Sequence, residues 1–307
     1  MSQAMQIGVI GGGLMGHGIA LTFARAGHNV HVFEAGADSR ATLPERIAHS
    51  LGVLGEDAAG IDKISSRIAV VDTLGLAAEG AGYITEAVPE KLDLKKQIFS
   101  ELEAAASADC ILASNTSVLP ITSITEHLQT RSRALGTHWW NPPHMIPLVE
   151  VIRTEWTLDA AMENTFDLLS HAGKTPVRVE KDVPGFIGNR LQHALWREAI
   201  SLVENGICDA EAVDTVIKSS FGRRLAVLGP LENADLVGTD LTLDIHENVL
   251  ADLEASSGPS PYLQGLVEGG RLGMKSGEGF QKWTQEEADE VRARVARHLT
   301  RLETILD

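Results

Sequence analysis

"QIGVIGGGLMGHG", residues 6–18, decides the fold. A short apolar run ends at Ile10, glycines follow at once, and Gly16 opens a helical stretch. The spacing is Gly11-x-Gly13-x-x-Gly16 between a strand and a helix, the setting in which this pattern means dinucleotide binding. Gly11 permits a tight turn, Gly13 lets backbone approach a pyrophosphate, and Gly16 lets the helix pack close to the strand. The helix N-terminus adds unpaired N–H groups and the positive end of a dipole. The next strand, "NVHVFE" (29–34), ends in Glu34, 18 residues beyond Gly16. That carboxylate can accept hydrogen bonds from adenosine ribose hydroxyls and would repel a 2′-phosphate. NAD is therefore expected rather than NADP, with Arg40 nearby working against that preference. A glycine-rich turn holding no ligand is the alternative reading.

Outward from this stretch, the first 182 residues alternate short β-type runs with helical segments. Strands are expected at 6–11, 29–34, 67–71, 83–88, 110–115, 134–139, 148–153 and 176–181. They are apolar and mostly β-branched, as strands covered on both faces should be. Between them lie patterns such as 92–107, where Leu94, Ile98, Phe99 and Leu102 share one helical face. The alternation predicts an α/β fold with a Rossmann-like, doubly wound, mostly parallel sheet. After "KDVPG" (181–185) the pattern turns helical, over 185–205, 209–220, 230–255, 261–271 and 284–306, with Asp209 and Thr284 as N-caps. Two domains are expected: a nucleotide-binding domain over 1–183 and an all-α domain over 184–307.

Bulk properties narrow the partners. A net charge of −16 argues against nucleic acid and anionic membrane surfaces, which attract clustered Lys and Arg. Residues 5–24 carry no formal charge, but six glycines interrupt them and no basic segment precedes them, so neither a membrane span nor a signal is expected. Two dispersed cysteines, Cys110 and Cys208, make no disulfide framework and fit a reducing, cytoplasmic setting.

Removing a hydride from an alcohol requires a base for the hydroxyl proton, and no metal-ligand cluster stands out. Open parallel sheets bind ligands at the carboxyl ends of their strands. His138 ends the strand "ALGTHW", and Pro142 and Pro143 stop that strand. The next strand carries Glu150 among Leu148, Val149, Val151 and Ile152. A buried, unpaired carboxylate is costly, and an imidazole on the adjacent strand would pair with it. The alternative is a packed core histidine, with Glu150 paired to Arg153.

Six motifs in order, "GGGLMG" (11–16), "EAVPE" (86–90), "SNTS" (114–117), "THWWNP" (137–142), "LVEVI" (148–152) and "PGFIGNRL" (184–191), resemble the L-3-hydroxyacyl-CoA dehydrogenase superfamily over nearly the whole chain. The resemblance implies an NAD-dependent dehydrogenase in which His138 is the general base in oxidation and the acid in reduction, with Glu150 pairing with it. Asn189 and Ser117 would hydrogen-bond the reacting oxygen or its surroundings. Asn141 would shape the site, as would Trp139 or Trp140. Leu14, Met15, Ala87, Glu90, Lys95 and Asn115 would lie by the cofactor. A homodimer is implied as well.

One region departs from the acyl-CoA members, which carry a lysine-rich helical pair after the second strand. Here residues 35–67 are shorter, and "HSLGVLGEDAAG" (49–60) holds no Lys or Arg, although the phosphates of CoA want cations. "NPPHMIPLVEV", "FGRRLAVLGPLE" (221–232) and the tail 273–299 look more like a non-CoA branch. That branch includes L-gulonate 3-dehydrogenase (lambda-crystallin) and a pyridine-carboxylate dehydrogenase of vitamin B6 breakdown. On this resemblance the substrate is a small free carboxylic acid, Arg224 is the first candidate to clamp its carboxylate, and Arg223 is the second. A short-chain 3-hydroxyacyl-CoA dehydrogenase and a non-catalytic NAD-binding structural protein are the alternatives.

Overall fold

The computed structural model describes residues 4–306, with side-chain surroundings through residue 302. The chain divides into two compact units, residues 1–190 and 191–307. The seven residues 184–190, expected with the helical part, pack with the first unit.

The first unit begins with β1 (Gln6–Ile10), α1 (Gly16–Arg25), β2 (Asn29–Phe33), α2 (Ala37–Ala41), α3 (Leu43–Val53), α4 (Ala58–Ser65) and β3 (Ile68–Val71). It continues through α5 (Leu74–Ala78), β4 (Ala81–Glu86), α6 (Leu92–Ala105), β5 (Ile111–Ser114) and α7 (Ile121–Thr125). β6 (Ala134–Trp139), β7 (Leu148–Ile152), α8 (Asp159–His171) and β8 (Thr175–Val179) complete its sheet. The strands form one sheet in the order β3-β2-β1-β4-β5-β6-β7-β8. The pairing of β6 with β7 is antiparallel and the others are parallel, so the fold is the mostly parallel, doubly wound sheet expected.

Both faces of the sheet are covered, which is why its strands read as apolar runs rather than alternating ones. One face buries Ile19, Leu21 and Phe23 of α1, Leu43, Ile47 and Leu51 of α3, and Met162 and Leu169 of α8. The other buries Leu74 and Ala77 of α5 and Ile98, Phe99 and Leu102 of α6. Strand order reverses between β1 and β4, and the crevice at the strand ends there is the ligand position of such sheets.

The helical part comprises α9 (Gly188–Glu204), α10 (Ala210–Ser219), α11 (Pro230–Val237), α12 (Thr239–Val249), α13 (Pro261–Glu268) and α14 (Gln285–Leu306). Asp209 caps α10 by accepting from Ala212 N at 2.8 Å. Thr284 and Glu287 form a reciprocal box at α14, each side chain accepting from the other's backbone N–H. The single helix expected over 230–255 is two, because Gly238 takes φ of 105° and ends α11. No described helix is long and apolar enough to cross a membrane.

Candidate active site

The turn after β1 is built by close approach. Gly11 has φ of 98°, and a Cβ on Gly16 would lie 1.7 Å from the Gly11 carbonyl oxygen, so only glycine fits at either position. At Gly13 an added Cβ would meet nothing within 4 Å, leaving open space over the turn. Among the described residues no protein acceptor takes the N–H groups of Gly13, Leu14 or Met15. Those orphan donors at a helix start are what a pyrophosphate needs, so the residues present fit NAD. Glu34 accepts from Gly12 N at 2.7 Å and from Gly36 N at 2.7 Å, one bond on each oxygen. A carboxylate has about four acceptor sites, so capacity remains for ribose hydroxyls. Arg40 lies 3.8 Å from Asp72, which offsets the cation set against the NAD preference. Ala87 joins the turn from β4, its N–H donating to Ile10 O at 2.7 Å and its carbonyl lying against Gly11.

His138 and Glu150 stand directly opposite each other in the antiparallel register of β6 and β7. Cross-strand partners project from the same face, so register alone brings the two side chains together. His138 Nδ1 lies 2.7 Å from Glu150 Oε2, with both residues nearly fully buried. The other carboxylate oxygen, Oε1, accepts from Ile187 N at 2.8 Å and Gly188 N at 3.0 Å, the start of α9. Burial pushes the Glu150 carboxyl up, but the bonds from His138, Gly188 and Ile187 outweigh it and hold it below the ordinary carboxylate value. An ionised Glu150 fixes the Nδ1–H tautomer, and among the described residues no protein group takes Nε2. Arg153, the alternative partner, is engaged with Asp159 and Glu180 instead.

A second polar network holds the loop after β5. Lys95 and Glu86 are both fully buried, with Nζ 2.7 Å from Glu86 Oε1 and 3.3 Å from Glu90 Oε2. Ser114 Oγ donates to Glu86 Oε2 at 2.6 Å. Glu90 Oε1 accepts from the Thr116 hydroxyl and from the N–H groups of Ser117 at 3.0 Å and Val118 at 3.1 Å. Burial opposes ionisation of Glu90, but the Thr116 hydroxyl, the Lys95 charge and these amides together keep it below its usual value. The Ser117 loop so held accepts, at its carbonyl, a 2.8 Å bond from Asn189 Nδ2. Glu90, Ser117 and Asn189 thus form one connected chain, while the Lys95 ammonium is enclosed by protein rather than open to a ligand. Asn115 Oδ1 accepts from Trp139 N at 2.9 Å, tying β5 to β6.

The remaining expected residues are distributed differently. Trp139 does not line the site: its ring is 2% exposed, packed edge-on to Phe23 in the core. Alternation along β6 sends Trp139 to the face opposite His138 and returns Trp140 to it. The Trp140 ring lies 5.3 Å from the His138 ring, and a Cβ on Gly188 would come within 2.4 Å of it. Asn141 is exposed. Arg223 and Arg224 are exposed on the second unit, and neither side chain makes an ion pair or hydrogen bond among the described residues. The sequence reading missed Glu86, Phe186, whose ring lies 5.6 Å from that of His138, and the amides of Ile187 and Gly188. Glu86 was findable as an acid inside a buried strand. The amides were not, because backbone donors carry no residue signature.

Comparison with known proteins adds to this geometry. A family model described as "3-hydroxyacyl-CoA dehydrogenase, NAD binding domain" matches residues 6–183, and one described as "3-hydroxyacyl-CoA dehydrogenase, C-terminal domain" matches 185–283. The chain is 35% identical over 307 residues to a 5-formyl-3-hydroxy-2-methylpyridine 4-carboxylate 5-dehydrogenase of Mesorhizobium japonicum, covering 98% of each. A crystal structure of an enzyme with that activity, described as an NAD+ dependent dismutase, superposes with a TM-score of 0.92 at 34% identity, covering 99% of both chains. The crystal structure of an (S)-3-hydroxybutyryl-CoA dehydrogenase from Ralstonia eutropha gives 0.76 at 29% identity, covering 92% of this chain and all of that one.

Proposed function

The chain belongs to the 3-hydroxyacyl-CoA dehydrogenase family as an NAD-dependent oxidoreductase acting on CH–OH groups, and from that premise we propose that its substrate is a small free carboxylic acid rather than a CoA ester. The observation that carries the proposal is the state of the cations in residues 35–67. Arg40 faces Asp72, Arg46 donates to backbone carbonyls, and Arg67 donates to Ala24 O. Among the described residues Lys63 alone there has no partner. One lysine is a poor match for the 3′-phosphate and diphosphate of CoA. The superposition over 99% of a pyridine-carboxylate dehydrogenase points the same way.

In the proposed mechanism His138 Nε2 takes the hydroxyl proton of the substrate, and Glu150 stabilises the imidazolium that results. NAD, when bound, supplies the hydride acceptor. Asn189 and Ser117 orient the reacting oxygen, with Asn141 and Trp140 at its margin. Glu90 and Lys95 act by holding the Ser117 loop beside the nicotinamide ribose. Arg224, uncommitted in its own unit, clamps the carboxylate. Residues 1–183 carry NAD and most of the groups about the reacting oxygen, and 184–307 supply Asn189, Arg224 and a homodimer surface. The two free cysteines suit a cytoplasmic setting.

The test is NADH oxidation with acetoacetyl-CoA against a panel of free 3-keto acids and carboxylated aldehydes, run on wild type and Arg224→Ala. The expected result is turnover of an acid, with KM raised in the variant by about tenfold or more, the loss of a charge-assisted pair. Efficient acetoacetyl-CoA turnover would sink the proposal, and an unchanged KM would remove Arg224 from the site. A non-catalytic NAD-binding protein would bind NADH and turn over nothing.

A further inference from the structure

The turn that fits the pyrophosphate is held from behind by Arg46 of α3. Its NH2 donates to Gly12 O at 2.8 Å and to Ser39 O at 2.8 Å, and its NH1 donates to Gly13 O at 3.1 Å. Glu34 holds the other side of the same segment, through Gly12 N. Gly12 is thus gripped at both its N–H and its carbonyl by oppositely charged side chains. We propose that Arg46 is a positioning residue of the NAD site, which orients the Gly12 and Gly13 peptide planes so that the amides after them face the pyrophosphate.

A glycine turn lacks side chains that would restrict its backbone. Glycines lose more conformational freedom on ordering than any other residue, so Gly11–Gly13 would sample many orientations unless something selects one. A peptide plane is rigid, so fixing a carbonyl fixes the N–H of the next residue on the opposite edge. Holding Gly12 O and Gly13 O therefore directs the N–H groups of Gly13 and Leu14, and among the described residues neither has a protein acceptor. A planar guanidinium can serve three carbonyls in one geometry, which a lysine ammonium cannot reproduce. The third bond, to Ser39 O in α2, ties the turn after β1 to the segment after β2. These two segments flank the pyrophosphate and the adenosine ribose, so the arginine sets their separation. His17 supports the same carbonyl, with Nδ1 3.0 Å from Gly13 O.

The experiment uses the full-length protein and needs no substrate, so its outcome is independent of the carboxylic-acid proposal. Affinity for NADH, ADP-ribose and AMP is measured by fluorescence titration and competition for wild type, Arg46→Met and Arg46→Lys, with the melting temperature of each ligand-free protein. Arg46→Met is expected to weaken NADH and ADP-ribose by about tenfold or more, the scale of charge-assisted hydrogen bonds lost. AMP, which has no pyrophosphate, should change less, and Arg46→Lys should restore little of the loss. NADH and ADP-ribose affinities within twofold of wild type in Arg46→Met would overturn the assignment. So would an equal loss for AMP, or a loss that follows the melting temperature and is restored by lysine, since each marks a general role in stability.

Discussion

At the scale of single residues, the pairing of His138 with Glu150 decides the chemistry open to this chain. Two hydrogen bonds from the start of α9 share the carboxylate with the imidazole, so the buried charge is not left to one partner. Removing one member of such a pair strands the other, and the penalty is about 3–5 kcal/mol. His138→Ala is therefore expected to lower kcat by roughly 100-fold or more, as for loss of a general acid–base. Its NADH affinity should stay within a few-fold of wild type, because no contact of the glycine turn involves His138. Single-turnover kinetics with NADH titration checks both, and wild-type turnover in the variant would refute the assignment. Much of this was legible: an acid in an apolar strand and a histidine ending the strand before it. The tryptophan was open to the same reasoning: two residues on along a strand, Trp140 returns to the face of His138 while Trp139 takes the other.

At the scale of elements, the segment joining β6 to β7 is held by α1 and by Lys174. Lys174 Nζ donates to Pro143 O at 2.6 Å and to Ile146 O at 3.0 Å. His144 packs edge-on against His17, with ring centroids 5.9 Å apart. Burial is the main cause that lowers the His144 pKa, helped by the nearby His17, Lys174 and His49, and brings it to about 4 from an ordinary 6.5. His17 is lowered too, chiefly by burial. The folded state therefore resists protonation where the unfolded chain accepts it. Stability is full above pH 6.5 and falls as pH drops from 6.5 towards 4. Urea unfolding midpoints across that range should show this slope, and His144→Gln should flatten it. An unchanged slope in the variant would place its origin elsewhere. The turn was legible from Pro142 and Pro143, but the burial of His144 was not, because a residue in a loop between strands has no periodic pattern to place it.

At the scale of the whole molecule, the two parts of the chain differ in how much they bury. Among the described residues from 191 onward, only Leu266 and Ala288 are buried hydrophobics. Leu231 is 81% exposed, Leu236 71% and Ile207 69%. A second copy packed on this unit would cover such side chains, which supports the proposed homodimer. Sedimentation at micromolar concentration is expected to give a species of twice the 32.9 kDa chain mass. A stable 32.9 kDa monomer would remove the proposal.

What the sequence determined by itself was local and periodic. The glycine spacing with Glu34 named the nucleotide, runs of apolar residues placed all eight strands, and caps at Asp209 and Thr284 placed two helix starts. These follow from interactions between near neighbours, whose geometry spacing dictates. Two long-range contacts came from the tertiary fold instead: Glu150 meets His138 and not Arg153, and Arg46 reaches back 33 residues to the glycine turn. Such contacts depend on strand register and helix docking, where a shift of one residue exchanges one partner for another.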